Sequence, residues 1–319
     1  MTNKFAEKPV IVEIDDERAG QRIDNYLMSQ LKGVPRSRIY RLLRKGEVRV
    51  NKGRIKPDYK IREGDLVRIP PIRMAASKEE RHGSPADGLL KRIESTIIYQ
   101  DESLLVINKP SGIAVHGGSG IDFGVIEALR ALYPKEKSLE LVHRLDRDTS
   151  GCLMIAKKRA ALKSLHEQIK NNEIRKTYVA LVKGQWEGGE QTVDAPLLKN
   201  ILKSGERVVR VDASGKSAKS IFKPVKLFAD ATLVEVELIT GRTHQIRVHA
   251  THIGHPIAGD EKYGQRAFNL TMKQRGLSRL FLHAKSLCFK HPKTEDTINV
   301  VAPMGEELQK ILVNCENTE

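Results

Sequence analysis

The chain has 319 residues, with 55 Lys and Arg against 40 Asp and Glu for a formal charge of +15, and is 39% hydrophobic and 30% charged. At roughly 100 to 200 residues per domain that length suits two domains, and the composition excludes wholesale disorder. Cys152, Cys288 and Cys315 form no C-x-x-C pair and are an odd set, which excludes a disulfide framework or zinc ribbon and points to a reducing cytosol.

Met1 to Glu17 carries Lys4, Glu7, Lys8, Glu13, Asp15, Asp16 and Glu17 without the apolar h-region of a signal peptide, and no later stretch approaches the roughly 20 apolar residues of a membrane span. The expectation is a cytoplasmic chain with no membrane partner, whose residues 1–20 are an extension ahead of the first domain. Ile23, Tyr26, Leu27 and Leu31 then recur along one helical face. Pro35 opens a second helix, in which Ile39, Leu42 and Leu43 face inward, Arg36, Arg38, Arg41, Arg44 and Lys45 cover the remaining surface, and Gly46 ends the run. Val48 to Val50 reads as a strand, Asn51-Lys52-Gly53 as a turn, and Asp65 to Ile69 as a further strand.

Arg22 to Arg62 holds thirteen basic residues against Asp24, Glu47 and Asp58, a net +10 of the +15. A solvated basic face is the ordinary fate of such a run, but guanidinium at this density attracts phosphate through counterion release. The stretches Gln21-Arg22-Ile23-Asp24-Asn25-Tyr26-Leu27 and Gly46-Glu47-Val48-Arg49-Val50-Asn51 resemble an S4 RNA-binding domain, placed over 21–71. With only Tyr26, Tyr40 and Tyr59 as aromatic rings, phosphate contact with structured RNA suits the segment better than stacking of single-stranded bases. Residues 72–90 lose all periodicity and read as a linker.

From 91 to 319 the elements mix. Leu104 to Ile107, Leu153 to Ala156 and Lys176 to Val182 read as buried strands; Ala161, Leu162, Leu165 and Ile169 as a helix; Val234, Val236 and Leu238 alternate with Glu235 and Glu237 as a half-solvated strand. Without regular β-α-β alternation the expected class is α+β, with a mixed, largely antiparallel sheet.

Gly117, Gly118, Gly120 and Gly124 form a glycine-rich loop that no Lys-Ser/Thr pair follows, and Gly215-Lys216-Ser217 has Arg210 where a phosphate loop needs glycine. His244, His249, His252 and His255 are crowded, yet helical spacing scatters them, so phosphate contact or capping suits them better than a metal site. No Gly-x-Ser-x-Gly elbow occurs. The dense polar run is His143-Arg144-Leu145-Asp146-Arg147-Asp148-Thr149-Ser150-Gly151. Its two acids and two arginines alone could be a structural ion-pair cluster as readily as a site.

That run resembles the catalytic loop of RluA-type pseudouridine synthases. Asn108-Lys109-Pro110-Ser111-Gly112 with Val115-His116, then Lys176 to Gly184, Thr240-Gly241-Arg242-Thr243-His244-Gln245-Ile246-Arg247-Val248-His249, and Leu282 to Pro292 follow in the family's order. The resemblance implies conversion of uridines to pseudouridine in large-subunit (23S) ribosomal RNA by a monomer, with no cofactor or metal. It makes Asp146 the catalytic carboxylate and Arg247 its partner, on a helix that Thr243 can cap and whose Ile246, Ala250 and Ile253 pack inward. Tyr178 would stack on the target base or handle the C5 proton. Arg144 would fill the space a flipped nucleotide leaves or hold the flanking phosphate. Arg242, His244, Arg36, Arg38, Arg41, Arg44 and Lys45 are further RNA contacts, and Asp148 falls at a variable position with no role assigned. Two alternatives stand beside this: a non-catalytic rRNA-binding assembly factor, and a metal-dependent RNA hydrolase that EDTA would inhibit.

Overall fold

A computed structural model describes residues 9–15, 18–31, 34–72, 85–117, 123–201 and 207–317, and the chain divides into two units, Met1–Gly83 and Ser84–Glu319. Lys32 of the basic count, most of the expected linker, and Gly118, Ser119 and Gly120 of the glycine-rich loop lie outside the described residues.

In the first unit β1 (Val10–Glu13) precedes the helices α1 (Ile23–Gln30) and α2 (Arg36–Lys45), and β2 (Arg49–Val50) and β3 (Leu66–Ile69) follow them. The helical spacing does what it predicts: Ile23, Tyr26, Leu27, Leu31, Ile39, Leu42 and Leu43 interlock with Val50, Val67 and Ile69 in one buried core. Gly46 ends α2 at φ 69°, its N–H turned back to the carbonyls of Leu42 and Leu43, a left-handed cap that glycine adopts without Cβ strain. The outer face leaves Arg36, Arg41, Arg44 and Lys45 exposed and Arg38 half-buried.

The segment read as an extension contributes a strand here. β1 pairs antiparallel with β3, Val10 opposite Ile69 and Val12 opposite Val67, and the sheet order is β1-β3-β2. Val10-Ile11-Val12 is too short to declare itself among its acidic neighbours, and only pairing with a strand distant in sequence makes it one.

The second unit opens with α3 (Asp87–Glu94), which starts inside the stretch read as linker. Then come β4 (Ile97–Gln100), β5 (Leu104–Lys109), α4 (Val125–Leu132), β6 (Glu140–Leu141), β7 (Ser150–Ala156), α5 (Arg159–Lys170) and β8 (Arg175–Lys183). β9 (Gln191–Asp194), β10 (Leu197–Ile201), β11 (Arg207–Val211), β12 (Lys219–Leu227) and β13 (Ala231–Leu238) continue the strands. The unit closes with α6 (Gln245–His252), α7 (Arg266–Gln274), β14 (Leu282–Lys290), β15 (Thr297–Val301) and α8 (Glu306–Glu316). Its main sheet has the order β4-β5-β7-β14-β8-β13-β12-β9, with β6 beside β7 and β15 beside β14, while β10 and β11 pair as a separate hairpin.

Among the described residues every pairing is antiparallel except that of β7 with β14, so the expected α+β class with a mixed, largely antiparallel sheet is what forms. Alternate residues of β8 serve opposite faces: Tyr178, Ala180 and Val182 join Ile246 and Ala250 of α6 in one core, and Val179 and Leu181 join Phe268 and Met272 of α7 and Leu308 and Ile311 of α8 in another. One cross-strand row runs Gly151, Ala284, Tyr178, Val236. At about 4.8 Å per strand it sets Tyr178 roughly 10 Å from the point where the polar loop enters β7.

Candidate active site

The polar run occupies the loop between β6 and β7, and the Asn108 to Gly112 stretch is its clamp. Lys109 Nζ donates to the carbonyls of Pro110, Ile113 and Arg147 at 2.8, 2.8 and 2.9 Å. Ser111 Oγ donates to the Asp148 carbonyl at 2.7 Å, and the Gly112 N–H to that of Arg147 at 2.9 Å. Lys109 is fully buried; burial pulls its pKa down to about 7, against the attraction of Asp148 and Asp146. Three carbonyls for three N–H groups are what let an ammonium sit there.

At the other end of the loop Ser150 Oγ lies 2.9 Å from His283 Nδ1 and accepts from Arg279 Nη2 at 3.1 Å. Gly151 follows at φ 108°, and a Cβ there would stand 2.2 Å from the Ala284 carbonyl oxygen. Only glycine permits this approach of β7 to β14. His143, first residue of the run, accepts the Met154 N–H at Nε2 (3.2 Å). Burial, joined by the charge of Lys176, lowers its pKa to about 4, so it serves the loop as a neutral imidazole.

The loop presents Asp146 to a cleft of about 1610 Å3 whose walls include Arg144, Tyr178, Leu238, His244 and Arg247. The Asp146 side chain is 27% exposed, with Arg247 Nη1 3.5 Å and His244 Nε2 3.9 Å from its Oδ2. The arginine expected beside Asp146 is there, but its main partner is Asp260, absent from the sequence reading. Arg247 Nε and Nη2 donate to Asp260 Oδ2 and Oδ1, both at 2.7 Å. Burial opposes both charges; the mutual hydrogen bonds outweigh it, so the Asp260 pKa falls below its ordinary value and the Arg247 pKa rises above its own. The Asp260 carboxylate also accepts the N–H groups of Lys262 and Tyr263. A fork held bidentately on one edge keeps only its free corner for Asp146.

Thr243 does not cap α6. The N-cap position belongs to His244, at φ 54°, and no side-chain cap is made. Gln245 holds the turn instead: its Oε1 accepts from Thr240 Oγ1 and the Arg242 N–H, and its Nε2 donates to the Lys219 carbonyl and Ser220 Oγ. Ile246, Ala250 and Ile253 do pack inward. A left-handed non-glycine residue costs about 1 to 3 kcal/mol and persists where its surroundings dictate it. For His244 they include Tyr263, whose hydroxyl is 2.8 Å from Nδ1 and accepts the Val209 N–H at 3.0 Å. Since an amide can only donate, the Tyr263 proton is left for His244 Nδ1, which puts the imidazole proton on Nε2, toward Asp146. Burial lowers the His244 pKa, with Arg247 and Lys262 adding to the effect against Asp146. His244, expected as an RNA contact, thus lines the cleft as a neutral neighbour of the carboxylate.

Tyr178 lines the cleft from β8. Burial, then Asp146 and Cys152, raise its pKa well above that of a free tyrosine, so the ring presents a neutral phenol. Arg144 is exposed at the cleft edge. Arg242 is exposed too, its Nε donating to the Ser217 carbonyl at 3.0 Å. Of the other crowded histidines, His249 is buried between Ser220 Oγ and the Ala195 carbonyl, His255 stacks on Trp186 and meets the Lys183 carbonyl, and His252 is exposed. Arg147 and Asp148 pair with each other at the surface. The five basic residues of α2 belong to the first unit.

A carboxylate, a neutral histidine, a tethered guanidinium and a tyrosine ring thus line one cleft of the second unit, and the first unit carries a basic helix. Residues 103–252 match the family model described as RNA pseudouridylate synthase, and residues 21–67 match the S4 domain. The chain belongs to the RNA pseudouridylate synthase family. It is 57% identical over 302 residues to the ribosomal large subunit pseudouridine synthase C of Pasteurella multocida, covering 95% of this chain and 92% of that one. It is also 57% identical over 309 residues to the protein of that name from Escherichia coli, at 96% and 97% coverage. Of solved structures, human RNA pseudouridylate synthase domain containing 4 superposes with a TM-score of 0.59 at 26% identity, over 72% of this chain and 95% of that one. The assembly-factor and hydrolase readings find no support in these matches.

Proposed function

We propose that the protein converts uridines of large-subunit (23S) ribosomal RNA to pseudouridine, with Asp146 as its catalytic carboxylate. The reaction breaks the bond from uracil N1 to ribose C1′, turns the base and joins C5 to C1′, C5 giving up a proton and N1 gaining one. No electron leaves or enters. Asp146 supplies the anionic group that cleavage at C1′ requires, as nucleophile or electrostatic stabiliser. The single observation that carries this reading is Asp146 at the cleft surface beside an Arg247 whose other edge is occupied by Asp260, which leaves the carboxylate accessible.

Uridine inside a stacked helix is out of reach, so the nucleotide is flipped into the cleft at a cost of a few kcal/mol. Arg144, exposed beside Asp146, fills the vacated space or holds the flanking phosphate, and the Tyr178 ring walls the base. Arg242 contacts RNA at the rim, while Arg36, Arg38, Arg41, Arg44 and Lys45 bind phosphate from the S4 module. The reducing environment inferred from the cysteines suits the cytoplasm.

The test is Asp146→Asn. The variant should melt like the wild type, bind rRNA and form no pseudouridine in a large-subunit transcript, as read by chemical mapping. Retained turnover defeats the mechanism.

A further inference from the structure

Part of the cleft wall, an arm of the site that the chemistry at Asp146 leaves unused, is formed by Leu141, His143, His166, Ile169 and Lys176, all lining the same cleft as Asp146. Lys176 precedes Tyr178 by two residues on β8, so the two side chains leave the same face of the strand roughly 7 Å apart. Lys176 is 9% exposed. Among the described residues its ammonium has neither a hydrogen bond nor an ion pair, and burial alone lowers its pKa, with no carboxylate pulling it back. The neighbouring rings do not compensate it: His143 Nε2 accepts the Met154 N–H, and His166 Nε2 is engaged with the Val142 carbonyl.

A lysine this deep is ordinarily paired, as Lys109 is in the same unit. An unpaired one pointing into an open cleft is a cation awaiting an anion. The cleft, at about 1610 Å3, also exceeds the roughly 300 to 1,000 Å3 of a site built for one small ligand. Leu141 and Ile169 supply apolar wall for a base or ribose.

We propose that this arm is a second nucleotide subsite, in which Lys176 binds a phosphate of the RNA strand adjoining the flipped uridine. It rests on the reading of the cleft as an RNA site. The contact holds the strand beside the flipped uridine and bears on which uridine reaches Asp146.

Binding of the full chain to a large-subunit rRNA transcript over a series of salt concentrations tests this. Lys176→Met keeps the stem and removes the charge; its Kd should rise about tenfold, and the slope of log K against log salt should shrink by about 0.7 to 0.9. Lys176→Arg should keep the wild-type slope, as should Lys310→Met, which removes an exposed charge on α8. A Lys176→Met slope equal to the wild type overturns the proposal. A second measurement needs no variant: acylation of Lys176 by an amine-reactive reagent, followed by mass spectrometry, should slow several-fold with saturating transcript. Equal rates with and without RNA overturn the proposal as well. A wild-type protein that binds the transcript but forms no pseudouridine defeats the functional reading instead, and leaves what the slope says of Lys176 intact.

Discussion

Asp260→Asn is the sharpest probe of how the site is held. The Arg247 and Asp260 side chains are 9% and 1% exposed, so removing one charge strands the other in the interior. Breaking a buried pair from one side costs about 3 to 5 kcal/mol, and a unit of the size of Ser84–Glu319 loses roughly 2 to 4 °C per kcal/mol. The variant should therefore melt about 10 °C lower. Activity should fall with it, because Arg247, released on one edge, has Asp146 as its nearest carboxylate and turns onto it. The pH dependence has a definite sign. The Asp260 pKa lies below the ordinary aspartate value in the fold, so its stabilisation is complete well above that ordinary value and is lost as pH falls through the folded one. The gap between wild-type and variant melting temperatures should be widest at neutral pH and narrow below about pH 4. Melting followed by circular dichroism across pH, with pseudouridine formation on a transcript, reads both effects. A variant melting within a degree of the wild type with unchanged turnover would show that the pair is not what fixes Arg247.

Lys109→Met leaves the carbonyls of Pro110, Ile113 and Arg147 without their shared donor; at about 1 to 3 kcal/mol for an unmet buried polar group, the melting temperature should drop by several degrees and turnover should fall as the loop loosens, both measurable on purified protein. Tyr178→Phe keeps the ring and removes the hydroxyl: RNA affinity should stay within twofold while kcat falls by about 100-fold, the lower range of positioned proton transfer, and an unchanged kcat would restrict Tyr178 to stacking. Replacing Arg36, Arg41 and Arg44 together by Gln should weaken rRNA binding and reduce its salt slope by about 2 to 3, and a slope unaltered by all three would remove α2 from the interface.

The parts of the fold visible in the sequence are those whose cause is local. Ile23, Tyr26 and Leu27, or Ile39, Leu42 and Leu43, declare a buried helix face by spacing alone, and Gly46 declares its end. β1 and α3 escape because each is brief, and β1 exists only through its partner β3. In the cleft, Asp146, Tyr178 and Arg247 are legible because the quoted stretches follow the family's order. Asp260 is not: in Gly259-Asp260-Glu261-Lys262-Tyr263-Gly264 nothing local separates it from Glu261, and the fold buries the first and exposes the second. The position after Thr243 misleads for a similar reason. Threonine reads as a cap, but Gln245, secured to β12, takes over the task and leaves His244 free to turn toward Asp146.

The junction of Gly151 with Ala284 carries a consequence for how the protein is made. The strand that locks the downstream end of the catalytic loop arrives far later in the chain, the Ser150 to His283 contact spanning 133 residues. During synthesis Asp146 emerges long before β14 exists, and contacts of such separation close late. A nascent chain still missing β14 carries the basic S4 module with the Asp146 loop unlocked at its downstream end, and on the proposed role of Asp146 it can meet RNA before it can act on it. On that role, catalytic competence waits for β14.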